Sequence, residues 1–119
     1  MSNLTFPHSL KLHKSVEYDK IFKNPVRATA LGLSVLAIKT EGNGSARLGL
    51  IVPKKILKRA VWRNRVKRII RESFRLSQHS LPEMDVVVIA RHPIKEISNA
   101  DLYANLNRIW TQISRRLQK

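Results

Sequence analysis

Residues Lys54–Arg75 read KKILKRAVWRNRVKRIIRESFR, a stretch with ten Lys/Arg and one acid, Glu72. Projected on a helix at about 100° per residue, Trp62, Val66, Ile69, Ile70, Ser73 and Leu76 fall on one side, with Phe74 at its edge. Asn64, Lys67, Arg68, Arg71 and Arg75 fall on the opposite side, flanked by Arg63. One helix thus has a face to bury and a face that is almost wholly cationic. An ordinary solvated face mixes signs so that i,i+4 pairs offset repulsion. Here like charges sit one turn apart, a pattern that disfavours the isolated helix until a polyanion neutralises it. The helix is expected to begin between Lys55 and Arg59 and to end near Gln78.

On either side of this helix lie strand patterns. Arg47–Val52 (RLGLIV) is closed by Pro53, and Leu31–Thr40 (LGLSVLAIKT) is rich in strand formers. The turn cluster Glu41-Gly42-Asn43-Gly44-Ser45 between them predicts an antiparallel pair. After the connector Ser80-Leu81-Pro82, Asp85–Ala90 (DVVVIA) is a continuous apolar run, as in a strand buried on both faces. Asp85 and Glu83 flank a strand start and read as a turn and an edge charge. Upstream, Ser15 is a candidate N-cap with Glu17 and Asp19 in the first turn, Tyr18, Ile21 and Phe22 form an apolar stripe, and Asn24-Pro25 ends the helix. Downstream, Ser98 or Asn99 caps a last helix whose buried stripe is Leu102, Leu106, Ile109, Trp110, Ile113 and Leu117. Arg115, Arg116 and Lys119 follow where the dipole favours cations. The order helix, strand, strand, basic helix, strand, helix describes an α+β domain with helices against a sheet, in two layers.

The totals agree with a nucleic-acid partner. The chain has 119 residues, enough for a single domain (1–119, with 1–10 expected to be flexible), and 43% hydrophobic content, enough for one modest core. Its 23 basic and 8 acidic residues give a net charge of +15, and the pI is about 11.2. Such a surplus repels itself in a compact state and favours association with polyanions. There is no cysteine, hence no disulfide framework, thiolate zinc site or cysteine nucleophile. No stretch reads as a signal peptide or bilayer span, so a cytoplasmic protein without membrane attachment is expected. His8, His13, His79 and His92 are scattered, the acids do not cluster, and no glycine-rich phosphate loop is present. If the chain serves catalysis, another molecule supplies the reactive centre.

At Arg63-Asn64-Arg65-x-Lys67-Arg68, followed by Arg71-Glu72 and Phe74-Arg75, the helix resembles the signature of the bacterial ribonuclease P protein subunit. The likeness extends upstream to Leu48-Gly49-Leu50-Ile51-Val52-Pro53-Lys54-Lys55 and downstream to Asp85-Val86-Val87-Val88-Ile89-Ala90-Arg91. It also takes in Phe6-Pro7, Leu10-Lys11 and Glu17-Tyr18-x-x-Ile21-Phe22-Lys23, so that it covers roughly residues 6–115. The resemblance implies a two-layer fold with a mixed central sheet and a left-handed β-α-β crossover through residues 47–90, against a general rule that about 98% of such crossovers are right-handed.

It further implies a subunit that binds the catalytic RNA of ribonuclease P and the 5′ leader of precursor tRNA. In that holoenzyme the RNA supplies the active site and holds Mg2+, and the protein acts as a monomeric accessory to leader removal. The positions carried over to the RNA subunit are Lys54, Lys55, Arg59, Arg63, Asn64, Arg65, Lys67, Arg68, Arg71 and Arg75. Arg65 lies off the cationic face and either touches RNA or braces the helix. Tyr18 and Phe22, with Lys11 and Lys14, match the leader-binding cleft, although i,i+4 aromatics on a short helix also serve a core. Some members carry an aromatic in the first strand where this chain reads Val35-Leu36-Ala37-Ile38. Trp62 also departs from the family pattern and is assigned to packing. The rival readings are a ribosomal RNA-binding protein, an architectural DNA-binding protein and an independent nuclease.

Overall fold

Three helices and a four-stranded sheet make up the computed structural model, which describes residues 15–42 and 44–118, with side-chain surroundings from Asp19 onward. Residues 1–10, Lys11 and Lys14 lie outside the described residues. Helix α1 (Ser15–Lys23) leads into β1 (Val26–Ala30), β2 (Leu33–Lys39), β3 (Arg47–Ile51), α2 (Ala60–Ser77), β4 (Met84–Ala90) and α3 (Asn99–Leu117). The spatial order is β1-β2-β4-β3. Strand β4 is antiparallel to β2 and parallel to β3, so the sheet is mixed.

Strand β4 is central, and all seven of its residues are buried. Its even residues Val86, Val88 and Ala90 join the large core beneath α2 and α3. Val87 and Ile89 point to the other side and meet Ile21 of α1 and Leu36 of β2. This is why DVVVIA shows no polar alternation: each face of the strand has its own hydrophobic cover. The two layers of the α+β fold are the sheet and the α2–α3 pair, and the short helix α1 adds a partial cover on the opposite face.

The hairpin expected between Leu31–Thr40 and Arg47–Val52 does not form. The two strands do run in opposite directions, but β4 is inserted between them. The most apolar strand takes the place where both faces and both edges are covered. The actual hairpin joins β2 to β1, whose sequence VRATA, with two alanines, carries a weak strand signal. Its turn residue Gly32 has φ +82, and a Cβ there would stand 2.6 Å from Ile97 Cδ1 and 3.0 Å from Ile94 Cα. Only glycine lets the β4–α3 connector approach this closely.

Asp85 is neither a turn residue nor an edge charge. It is buried opposite Arg47 in the β3–β4 register, and Arg47 donates to both carboxylate oxygens at 2.9 and 2.8 Å. A bidentate guanidinium partner lets a carboxylate occupy the sheet interior.

Helix α2 is rotated slightly from the projected face. Phe74, placed at the edge, is fully buried, while Leu76 is 64% exposed. The rotation follows from α3: Phe74 meets Trp110 edge-on with ring centroids 5.7 Å apart, and Trp110 Nε1 donates to Ser73 Oγ at 2.9 Å. Ser73 is thereby satisfied inside the core. The expected stripe of α3 is buried throughout, and Ser98 caps the helix by accepting from Asp101 N at 3.1 Å.

Candidate nucleic-acid interface

Helix α2 starts on an anchored loop. The Pro53 carbonyl accepts from the backbone N–H groups of Ile56 and Leu57, each at 3.1 Å. Leu57 is fully buried. Lys54, Lys55, Lys58 and Arg59 therefore project from a short segment that is pinned to the core, and all four are exposed. Arg63 reaches back to this loop, donating through Nη1 to the carbonyls of Leu57 and Lys58 at 2.9 Å each. One of its nitrogens is thus committed to holding the loop that carries its neighbours.

Along α2, Asn64 and Arg68 are exposed, and Lys67, Arg71 and Arg75 are half-buried at the margin of the same face. Among the described residues, none of Lys54, Lys55, Arg59, Lys67, Arg68, Arg71 and Arg75 makes an ion pair with an acid. Glu72, the sole acid of the helix, is directed to Tyr103 of α3 instead. Partial burial, and after it the charge and accepted hydrogen bond of the Glu72 carboxylate, raise the Tyr103 pKa above its ordinary value. The one acid of the helix thus acts on Tyr103 at the helix–helix seam.

Arg65 belongs to that seam as well. Its Nη1 donates to Asn99 Oδ1 at 2.5 Å, joining α2 to the first residue of α3. This bond gives Arg65 a bracing contact in the free protein. The start of α2 also lacks ordinary stabilising devices. Its N-cap is Arg59, with no side-chain cap and no acid in the first turn. Cations at that end oppose the helix dipole, so their placement there is not explained by stability of the free protein.

On the opposite face of the sheet, α1 buries Ile21 and leaves Phe22 44% exposed. Phe22 is therefore not a core residue, the bland alternative for this aromatic. Tyr18 lies within α1, and its side chain is outside the described residues, as are Lys11 and Lys14. The segment Val35-Leu36-Ala37-Ile38 divides between faces: Leu36 and Ile38 turn toward the α1 side, and Val35 and Ala37 toward α2 and α3.

A family model described as Ribonuclease P matches residues 6–114. The chain belongs to the ribonuclease P protein family. It is similar in structure to the RNase P protein of Staphylococcus aureus, with a TM-score of 0.81 and 26% sequence identity over 88% of this chain and 97% of that one. It is also similar to the RNase P protein of Thermotoga maritima, solved in complex with 1-(4-fluorophenyl)-2-thiourea, with a TM-score of 0.77 and 28% identity over 86% of this chain and 98% of that one. These proteins share the α+β architecture described above. Membership associates the chain with ribonuclease P, a tRNA-processing endonuclease, as its protein subunit.

One feature of the surface had no signal in the sequence. Lys95, in a connector that reads as an ordinary loop, stands over the Trp62 ring. Trp62 itself, half-buried against the main core as its assignment to packing requires, also holds Arg59. The Arg59 contact accords with i,i+3 spacing at the helix start, whereas the Lys95 contact does not follow from spacing, because Lys95 is far from Trp62 in the chain.

Proposed function

We propose that this chain binds the RNA subunit of ribonuclease P through the cationic face of α2 and the loop before it, and that it assists removal of the 5′ leader from precursor tRNA in the cytoplasm. The observation that carries the reading is the row from Arg59 through Asn64, Lys67, Arg68 and Arg71 to Arg75, exposed or marginal and free of acid partners among the described residues. Arginine forks suit phosphate oxygens, and Asn64 can donate to or accept from a sugar or base. If about six phosphates are neutralised, the logarithm of affinity should fall with the logarithm of salt at a slope near −4 to −5.

The leader is assigned to the α1 side of the sheet, where Phe22 offers a ring face to an unstacked base. Catalysis is assigned to the RNA, with Mg2+ held mainly by it. Among the described residues no three His, Asp or Glu side chains converge on one point. Also among the described residues, no helix is long and apolar enough to cross a membrane.

The test is reconstitution. Purified protein is added to a ribonuclease P RNA at low Mg2+, and cleavage of the leader from precursor tRNA is followed. Enhanced cleavage with RNA, and none by protein alone, is the expected result. No effect on the RNA, together with sedimentation of the protein with ribosomes, would favour a ribosomal RNA-binding role.

A further inference from the structure

Trp62 stands in the first turn of α2 with part of its ring against the main core. Two cations from separate parts of the chain stand over the same ring. Arg59 Cζ is 5.3 Å from the ring centroid, and Lys95 Nζ is 3.8 Å from it.

Each cation is carried by an anchored segment. Arg59 follows the loop pinned by the fully buried Leu57 and by Arg63. Lys95 sits in a short 3₁₀ turn, Ile94–Glu96, between the buried side chains of Ile94 and Ile97. That turn is held by the Ile94 N–H to the Arg91 carbonyl and the Glu96 N–H to the Pro93 carbonyl, each at 2.9 Å. Its base is fixed to the β1–β2 turn through the Arg91 N–H and the Gly32 carbonyl, also at 2.9 Å.

Both side chains are exposed, and among the described residues neither makes an ion pair with an acid. An aromatic face attracts a cation through its quadrupole. Unlike a carboxylate, it does not cancel the formal charge. A ring is therefore suited to holding two cations in place while leaving both available to an anion that arrives later. Both cations stand beside one ring, and each gains when a phosphate-bearing strand passes it.

We infer that Trp62 is a positioning residue that presents Arg59 and Lys95 together to one phosphate-bearing strand of the RNA subunit, carrying the RNA surface past the start of α2 onto the β4–α3 connector. The inference rests on the RNA-binding function proposed above and names a part of that surface outside the α2 row.

The full chain is titrated against a ribonuclease P RNA transcript over a range of salt. Lys95→Ala should weaken binding about threefold or more and lower the magnitude of the salt slope by about 0.7–0.9. Trp62→Leu removes no charge, yet it should also lower the slope; a residue that merely fills space would not do so. Trp62→Phe keeps a ring face and should retain most of the affinity. The double variant of Trp62→Leu with Lys95→Ala should lose less than the product of the two single losses, because the residues act as a unit.

A Trp62→Leu variant with an unchanged slope, or single losses that multiply in the double variant, would overturn the inference. So would a silent Lys95→Ala beside a weakened Arg68→Ala, with the wider RNA-binding reading left standing. Silence of both Lys95→Ala and Arg68→Ala would instead remove that wider reading. Circular dichroism shows whether Trp62→Leu folds; if it does not, the exposed Lys95→Ala decides alone.

Discussion

Helices α2 and α3 lie side by side against one sheet face, are of nearly equal length and bury a similar apolar stripe, yet their polar ends are built in opposite ways. Helix α3 has Ser98 as its cap, Asp101 in its first turn and Arg115 and Arg116 in its last. Each of these choices agrees with the helix dipole and its unpaired N–H groups. Helix α2 begins on Arg59 with no side-chain cap, and Lys54, Lys55 and Lys58 crowd its start. The contrast separates a helix arranged for the stability of the free chain from one arranged for a charged partner. It also shows that the two requirements are met by different faces of α2: the buried side obeys packing rules as strictly as α3 does.

The most severe way to test that division is to attack the buried side. Phe74→Ala should destabilise the fold by about 3–5 kcal/mol, measured by denaturant unfolding. A small loss would mean that α2 is less embedded than its contact with Trp110 requires. The outer side should respond in the reverse sense. Lys67→Ala combined with Arg68→Ala should leave unfolding within about 1 kcal/mol of the parent, taking surface changes at about 0.5 kcal/mol each. Its RNA affinity should fall by about 1.5–3 kcal/mol, with the salt slope reduced by about 1.4–1.8. An unchanged affinity at physiological salt would break the comparison.

Across the sheet, Phe22→Ala sharpens the comparison by separating leader from RNA subunit. It should weaken binding of precursor tRNA by about 1–3 kcal/mol while sparing mature tRNA. Equal losses on both would assign the ring a general role. The smallest effects come from exchanging the two helix starts. Ser98→Ala should cost about 1 kcal/mol of stability with RNA binding unaltered. Arg59→Ser supplies α2 with the missing cap at a residue already in extended geometry, φ −89 and ψ 137. It should raise stability by about 0.5–1 kcal/mol and lower RNA affinity. A variant that gains on both counts would show that the absent cap has no connection with the partner.

The candidate surface was legible because its signal is local. Like charges at helical spacing stay on one face whatever the rest of the fold does, so the row Asn64, Lys67, Arg68, Arg71 and Arg75 could be placed from the sequence. Arg63 and Arg65 were harder. Both are cationic and close to the row, but one secures the preceding loop and the other joins α3, and charge alone does not distinguish a ligand-facing arginine from a bracing one. Lys95 gave no indication, since its neighbour on the ring is set by the connector's path.

The sequence by itself determined the three helices, the both-faces burial of DVVVIA, the cap at Ser98 and the cationic face of α2, because periodicity, capping and charge spacing act within a few residues. Only the tertiary structure decided that β4 separates β2 from β3, that Asp85 is satisfied inside the sheet by Arg47, and that α1 covers the second face. Strand order depends on which apolar run gains most from being enclosed on every side. That competition is settled among all the elements together, and no one segment of the chain records its outcome.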